Sequence, residues 1–123
     1  MKIDIFKNKI MWWIWISPTF IKLFTPKHIA GITIFPFIIL ETNAQKQDKT
    51  FINHELIHIY QQMELFFIFF ILLYYIEFLF KWLKYKDVQL AYSAISFEQE
   101  AYQNETNYNY LKTRKWFSFV KYW

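Results

Sequence analysis

After Pro36 the chain contains neither glycine nor proline, and this absence limits what most of the sequence can fold into. Tight turns between strands usually need one of these residues, whereas the interior of a long helix excludes them. All three prolines and the single glycine lie between residues 10 and 40. The sequence therefore predicts a mainly helical α+β protein, a single domain of 123 residues, with its sheet confined to the N-terminal part.

Within residues 10–40, the stretches "IKLF", "GITIF" and "FIIL" predict short strands, with a turn at "TPKH". We expect a small antiparallel sheet of two or three strands. Pro36 has no N–H to donate, so its strand should lie at an edge or be bulged there. Residues 1–20 lack a small-residue cleavage site, which indicates mature protein rather than a signal peptide.

The remainder predicts two helices. The polar stretch 41–50 is typical of a surface loop, and Asp48 or Thr50 can cap a helix covering residues 51–83, which nothing in the sequence interrupts. A polar connection, "KYKDVQLAYS", then leads to a second helix within residues 93–112. Ser96 and Gln99 have the spacing of a capping box at its start.

The composition favours a membrane surface as a partner. Hydrophobic residues make up 55% of the chain and aromatic residues 24%, and the net charge is +4 with Arg114 as the only arginine. Nucleic-acid readers normally use arginine forks, whereas lysines beside tryptophans and tyrosines suit anionic lipid. The basic, aromatic tail "TRKWFSFVKYW" is typical of an interfacial anchor. We expect a membrane-associated protein, at a bacterial inner membrane, with no nucleic-acid partner.

Full spanning is a separate question. The uncharged run Leu65–Ile76 has twelve residues, which is about 18 Å of helix against a hydrocarbon core of about 30 Å. Spanning would also bury Glu77, for which Lys81 at i+4 is a possible partner. A spanning helix, an interfacial helix and a buried core helix all stay open.

The stretch "HELIH" is the clearest sign of chemistry. His54 and His58 are four residues apart, which on a helix brings both imidazoles to one face within reach of a single metal ion. Glu55 projects to the side, where it can reach a metal-bound water without ligating the metal. The alternative is a pair of polar residues satisfied in a core, but that leaves the Glu55 charge unexplained. We therefore predict a Zn²⁺ site.

A third protein ligand is needed. No histidine follows His58, and the upstream His28 lies on a predicted strand turn. The acidic cluster of the second helix is the natural source. Glu98 and Glu100 lie about 200° apart around a helix, so only one of them can face the metal.

These motifs resemble the gluzincin metallopeptidases. "HELIH" followed by a helix bearing "FEQEA" is similar in particular to the membrane-bound, CAAX-prenyl-protease-like branch, whose later helix carries Glu-x-x-Ala-Asp. The resemblance implies that Glu98 is the third zinc ligand, and leaves Glu100 as the alternative. Tyr102 stands where those peptidases have an aspartate that orients a zinc-bound histidine, and Glu105 is the residue available to take that role.

The implied activity is zinc-dependent endopeptidase action on an extended, unfolded or membrane-proximal peptide. Glu55 would be the general base, and Tyr102 or His28 the donor to the oxyanion. An edge strand near residues 29–35 would pair with the substrate. Two rival hypotheses are a zinc-stapled, membrane-associated structural protein without turnover and a metal-free membrane-interacting protein.

Overall fold

A computed structural model describes residues 13–25 and 29–123 of the chain. The elements in chain order are β1 (Ile14–Ile16), α1 (Pro18–Phe24), β2 (Gly31–Ile34), β3 (Phe37–Leu40), α2 (Asn43–Gln47), α3 (Lys49–Glu64), α4 (Ile68–Tyr85), α5 (Val88–Ala94), α6 (Ser96–Asn104), α7 (Tyr110–Thr113) and a C-terminal 3₁₀ helix (Ser118–Tyr122). The mainly helical α+β class is confirmed. The predicted mature N-terminal segment lies largely outside the described residues.

The sheet is mixed rather than antiparallel. The strand order is β1-β3-β2, with β3 parallel to β1 and antiparallel to β2. The parallel pair needs a crossover, which α1 supplies from "IKLF", the stretch predicted to be a strand. Ser17 accepts a hydrogen bond from the Phe20 N–H at 3.2 Å and Pro18 occupies the first turn, and these two start signals outweigh the β-branched residues that follow.

Pro36 does not lie within a strand, contrary to the prediction of an edge or bulged strand. It follows a cis Phe35–Pro36 bond in the turn between β2 and β3. Strand β3 is the central strand, because it pairs with both β1 and β2. Gly31 begins β2 where the sheet comes close to α3. A Cβ there would lie 2.9 Å from Phe51 Cε1 and 3.0 Å from Leu40 Cδ2, so a larger residue would have to displace one of these two side chains.

Two stretches predicted to be irregular form short helices. Thr42 and Gln45 make a complete capping box at the start of α2, within the predicted surface loop. Asp87 accepts a hydrogen bond from the Leu90 N–H at 2.8 Å and starts α5 within the predicted polar connection. The predicted Asp48 cap of α3 is confirmed, because its carboxylate accepts from the N–H groups of Thr50 and Phe51.

The predicted unbroken helix over residues 51–83 is wrong. Helices α3 and α4 are separated at Leu65–Phe67, where Phe66 and Phe67 have φ values of 54° and 60°, and their axes differ by 113°. The break lets α3 pack against β2 and α6 while α4 packs against α5, which one straight rod could not do. Among the described residues, no single helix is long and apolar enough to cross a membrane; only the bent α3–α4 pair passes that test.

Glu77 does not pair with Lys81 and does not face solvent. It is buried on α4 and accepts hydrogen bonds from the Ser96 N–H and hydroxyl, both at 2.6 Å. Ser96 is therefore tied to α4 and does not form the predicted capping box with Gln99. Ile95 occupies the N-cap position of α6, without a side-chain cap.

Two hydrophobic clusters form the core. One joins the sheet to α3 through Ile14, Ile38, Leu40, Ile52, Leu56 and Ile59. The other is aromatic and joins α4, α6 and the C-terminal 3₁₀ helix through Phe70, Ile95, Phe97 and Phe119. The tail is thus partly internal, since Phe119 is buried against Phe97 with ring centroids 4.4 Å apart, while Trp116 and Trp123 are exposed. Helix α3 packs against α6, which brings the two clusters together.

Candidate metal centre

The helical spacing places His54 and His58 on the face of α3 that packs against α6. Both rings are buried, with centroids 4.9 Å apart. Glu98, in the first turn of α6, meets them: its Oε1 lies 3.4 Å from His54 Nε2 and its Oε2 lies 3.2 Å from His58 Nε2. One ligand atom from each residue lies within 4.8 Å of the others. The structure therefore brings together the three residues predicted as metal ligands.

One carboxylate oxygen of this cluster has no hydrogen-bond donor among the described residues. Glu98 Oε1 is buried and accepts no hydrogen bond from the described residues, whereas Oε2 accepts one from the Tyr74 hydroxyl at 2.8 Å. Leaving a buried carboxylate oxygen unsatisfied costs free energy that a cation between the three side chains would recover. Two imidazole nitrogens and one carboxylate oxygen form a donor set found in catalytic zinc sites. These residues fit a metal ion.

Both histidines are held from the side away from Glu98. His54 Nδ1 lies 2.8 Å from Glu105 Oε2, and His58 Nδ1 lies 2.8 Å from Gln61 Oε1. A carboxylate and an amide oxygen are acceptors, so each Nδ1 carries a proton and donates. Each Nε2 then faces Glu98 and is the nitrogen that would bind a metal once it has lost its proton. Glu105 thus occupies the orienting role expected of it, while the Tyr102 ring packs against His54 at 4.7 Å between centroids.

The amide of Gln61 is fixed by a second set of contacts. Its Nε2 donates to Glu100 Oε1 at 2.9 Å and to the Phe97 carbonyl at 3.1 Å, so its oxygen must face His58. Arg114 holds Glu100 in turn, and also makes two hydrogen bonds to Glu64. Glu100, the alternative third ligand, binds Gln61 and Arg114 in this network rather than facing the two histidines. Gln61 was not predicted as a site residue, although its i+3 spacing from His58 was a usable signal.

The charges of the metal-free cluster are strongly coupled. Burial lowers the pKa of the His58 imidazole, but the adjacent Glu98 charge and hydrogen bond outweigh it and, with Glu55, raise that pKa to about 9. The pKa of His54 is raised in the same way. Burial raises the pKa of the Glu98 carboxyl, yet the two histidines bring it well below its ordinary value. A metal must therefore displace protons from the imidazoles.

Glu55 lies beside the cluster rather than within it. Its side chain is 6% exposed, and its Oε2 accepts a hydrogen bond from the Thr33 hydroxyl on β2. Together with His58 and Glu98 it lines one cavity, of about 410 Å³. No sequence signal pointed to Thr33, because it lies on a strand, 22 residues before its partner Glu55 on a helix.

The rest of the cavity wall is mostly apolar. Strand β2 forms one side, and aromatic and aliphatic side chains of α4 form another. Tyr74 and Tyr92 line the cavity, whereas Tyr102, which is 44% exposed, is not part of its wall. Burial and the Glu98 charge raise the pKa of Tyr102 to about 12 and also raise the pKa of Tyr92, so both hydroxyls keep their protons near neutral pH.

Two further buried carboxylates lie in separate contacts: Glu64 binds Arg114 and Glu77 binds Ser96. His28, the second candidate for the oxyanion donor, lies outside the described residues. Within residues 13–25 and 29–123, the metal-competent cluster consists of three side chains, which is the number of protein ligands that catalytic zinc sites use.

Comparison with protein-family models, with curated proteins and with solved structures finds no match for this chain.

Proposed function

We propose that the protein is a small, membrane-associated, zinc-dependent endopeptidase. The observation that carries this proposal is the shared cavity: Glu55, His58 and Glu98 all line it, beside an edge strand. A site that serves only to hold helices together has no need for a glutamate facing open space next to its ligands. The resemblance of "HELIH" and "FEQEA" to the gluzincin pattern supports the same function.

Zinc is the proposed metal, held by His54, His58 and Glu98. Their nitrogen and carboxylate donors suit it, and the chain has no cysteine to favour a softer ion. Bound there, zinc would supply an acidified water and a Lewis acid that polarises the substrate carbonyl. The fourth position is the natural one for that water, because catalytic zinc sites characteristically have three protein ligands.

The other roles fall to side chains on the cavity wall and beside it. Glu55 takes the proton of the attacking water and delivers it to the leaving nitrogen, and the Thr33 hydroxyl holds its carboxylate in position. The oxyanion needs a hydrogen-bond donor. Tyr102 is the donor proposed from the sequence, and Tyr92 is a second one, favoured by its place on the cavity wall.

The proposed substrate is an extended, unfolded or membrane-proximal peptide. Strand β2 is an edge strand, to which extended chains add by main-chain hydrogen bonding. The mostly apolar cavity wall favours hydrophobic side chains near the scissile bond.

The proposed membrane contact is the outer face of α4. Its core face is narrow, with Phe70 and Glu77 buried, while most of the remaining side chains are apolar and exposed, Ile68 by 66% and Phe80 by 62%. An apolar surface of this extent is unusual on a monomer in water. Lys81, Lys84 and Lys86 follow at its C-terminal end, where they can meet anionic lipid headgroups. A bacterial inner membrane suits this combination.

One observation favours the alternative, a zinc-stapled protein without turnover. The ligands come from α3 and α6, which belong to different hydrophobic clusters, so a metal between them would tie the two halves of the core together.

The first experiment measures zinc in the purified protein by elemental analysis. We expect one zinc ion per chain for wild type and a large loss for His58→Ala, because removing one of three ligands opens the site. Equal zinc in both proteins would end the metal proposal.

The second experiment separates the enzyme from the staple. We expect Glu55→Gln to retain zinc and to lose at least a hundredfold of the wild-type rate on casein in detergent or lipid, because the ligands stay while the base is lost. Zinc-loaded wild-type protein that cleaves no peptide would favour the staple.

A further inference from the structure

In strand β2, the main-chain N–H and C=O groups of every second residue point away from the sheet. The Glu41 N–H donates to the Ala30 carbonyl, so the main-chain groups of Ala30 point toward β3. Because this direction alternates along an antiparallel pair, the main-chain groups of Gly31 and Thr33 point away from β3. The partners agree with this assignment, because the Leu40 carbonyl, opposite Gly31, accepts from Ser17 on the far side of β3. The outward groups of Gly31 and Thr33 are those that a bound peptide would use.

The side chain of Gln62 already occupies part of this edge. Its Nε2 donates to the Thr33 carbonyl at 2.7 Å, and its Oε1 accepts from the Phe35 N–H at 2.6 Å. In a parallel ladder, one residue of a neighbouring strand opposite Ile34 would make the same two hydrogen bonds. The Gln62 carboxamide thus stands in for a strand residue, and its burial, at 2% exposure, keeps it there.

We propose that Gln62 is a specificity-determining residue whose carboxamide ends main-chain pairing at the Thr33 carbonyl. A peptide on this edge makes main-chain hydrogen bonds only with the Gly31 N–H, the Gly31 carbonyl and the Thr33 N–H. Its pairing does not continue toward Phe35. In the described part of the chain, no side chain hydrogen-bonds to those three groups, and both residues line the cavity that contains Glu55 and His58. The inference rests on the proposed peptidase function.

A purely structural role for Gln62 makes a different prediction. A side chain that only ties α3 to β2 would, when replaced, alter the turnover of all substrates alike. If Gln62 instead stops main-chain pairing, its replacement changes only how turnover depends on substrate backbone groups that lie beyond the Thr33 N–H. The two roles are separated by comparing substrates rather than by comparing total activities.

The experiment uses the full-length, zinc-loaded protein and a set of fluorogenic apolar peptides, each N-methylated at one successive backbone position. In wild type, we expect N-methylation to raise KM by about tenfold at the position that pairs with Gly31, the loss of about one hydrogen bond, and to have no effect two residues further along. In Gln62→Ala, which removes the amide and opens the space beside the Thr33 carbonyl, that second position should become sensitive by a similar factor. Gln103→Ala, on the exposed part of α6, is the matched control and should keep the wild-type profile.

Identical N-methylation profiles in wild type and Gln62→Ala would overturn the inference while leaving the peptidase proposal intact. If Gln62→Ala fails to fold, Gln62→Ser replaces it. If neither folds, the wild-type scan decides, because sensitivity at several alternate positions along the peptide would contradict a stop at Thr33. Absence of any peptide cleavage by wild type would overturn the proposed function itself, and this inference with it.

Discussion

The two histidines differ in what holds them. Gln61, on the same helix, orients His58 and is itself fixed by Glu100 and the Phe97 carbonyl, so its orientation depends on the packing of α3 against α6. Glu105 orients His54 from the C-terminal end of α6 and is partly exposed. Both arrangements fix a proton on Nδ1 and turn Nε2 toward Glu98, so Nε2 is the nitrogen that would bind a metal once it has lost its proton.

We therefore predict that Glu105→Ala weakens zinc binding by about 10- to 100-fold, because His54 loses the acceptor that fixes its ring and tautomer. A chelator competition titration measures the dissociation constant. Glu105→Gln should lose much less, since an amide oxygen can still accept from Nδ1. Gln103→Ala, on the same helix, controls for changes to α6 that do not touch the histidine. An unchanged affinity in Glu105→Ala would contradict the orienting role.

At this scale the sequence predicts the ligands better than their surroundings. His54 and His58 follow from helical spacing, and Glu98 from the resemblance of a second motif. Thr33 and Tyr74 could not be predicted, because they reach Glu55 and Glu98 from other elements. Such contacts depend on how a strand and a bent helix pack, and no local pattern records that.

Among the elements, those with strong local signals were predicted and those set by packing were not. The absence of glycine and proline correctly indicated helices, and Asp48 marked the start of α3. The break at Leu65–Phe67 has no breaker residue, and no local pattern marks it; the end of α3 that precedes it is held by distant residues, as in the pair of hydrogen bonds from Arg114 to Glu64. The missed α1 did have a signal, since Ser17 and Pro18 form a standard helix start.

For α4 we predict binding to vesicles that contain anionic lipid. Phe80→Asp, on the exposed apolar face, should reduce binding at least tenfold, because burying a carboxylate in the lipid interface is unfavourable. Lys84→Gln should reduce binding by about fivefold, since one basic residue near an anionic surface contributes about 1 kcal/mol. Co-sedimentation measures both effects.

Neutral vesicles provide the control, because the lysine effect should vanish there while the Phe80 effect remains. Lys46→Gln, at the end of α2, removes a lysine away from α4 and is the matched variant. Equal binding of Phe80→Asp and wild type would mean that the face of α4 does not contact lipid.

For the whole molecule, the metal site lies between two halves that are also joined there by polar contacts, such as those of Gln61 with Glu100 and with the Phe97 carbonyl. The ligands come from α3, which belongs to the sheet cluster, and from α6, which belongs to the aromatic cluster. The state of the site should therefore affect global stability as well as local order.

The metal-free protein should lose stability as pH rises from 6.5 to 9. The folded-state pKa of His58, about 9, lies above its ordinary value of 6.5, so the imidazolium–Glu98 contact contributes fully below pH 6.5 and is lost as pH passes through the folded-state value. Glu98 acts in the opposite direction: its lowered pKa gives stability above its ordinary value of 4.5, which is lost in acid. Thermal unfolding in the presence of a chelator, scanned from pH 6 to 9.5, measures the slope.

Added zinc should show the reverse trend, because it binds the deprotonated imidazoles and must displace fewer protons as pH rises. The increase in Tm caused by saturating zinc should therefore grow between pH 6.5 and 9, over the range in which the metal-free Tm falls. His58→Gln removes the titrating group and should flatten both slopes if it folds; His54→Gln, whose shift has the same direction, serves if it does not. A zinc effect on Tm that is constant across this range would show that the metal binds elsewhere than at the two imidazoles.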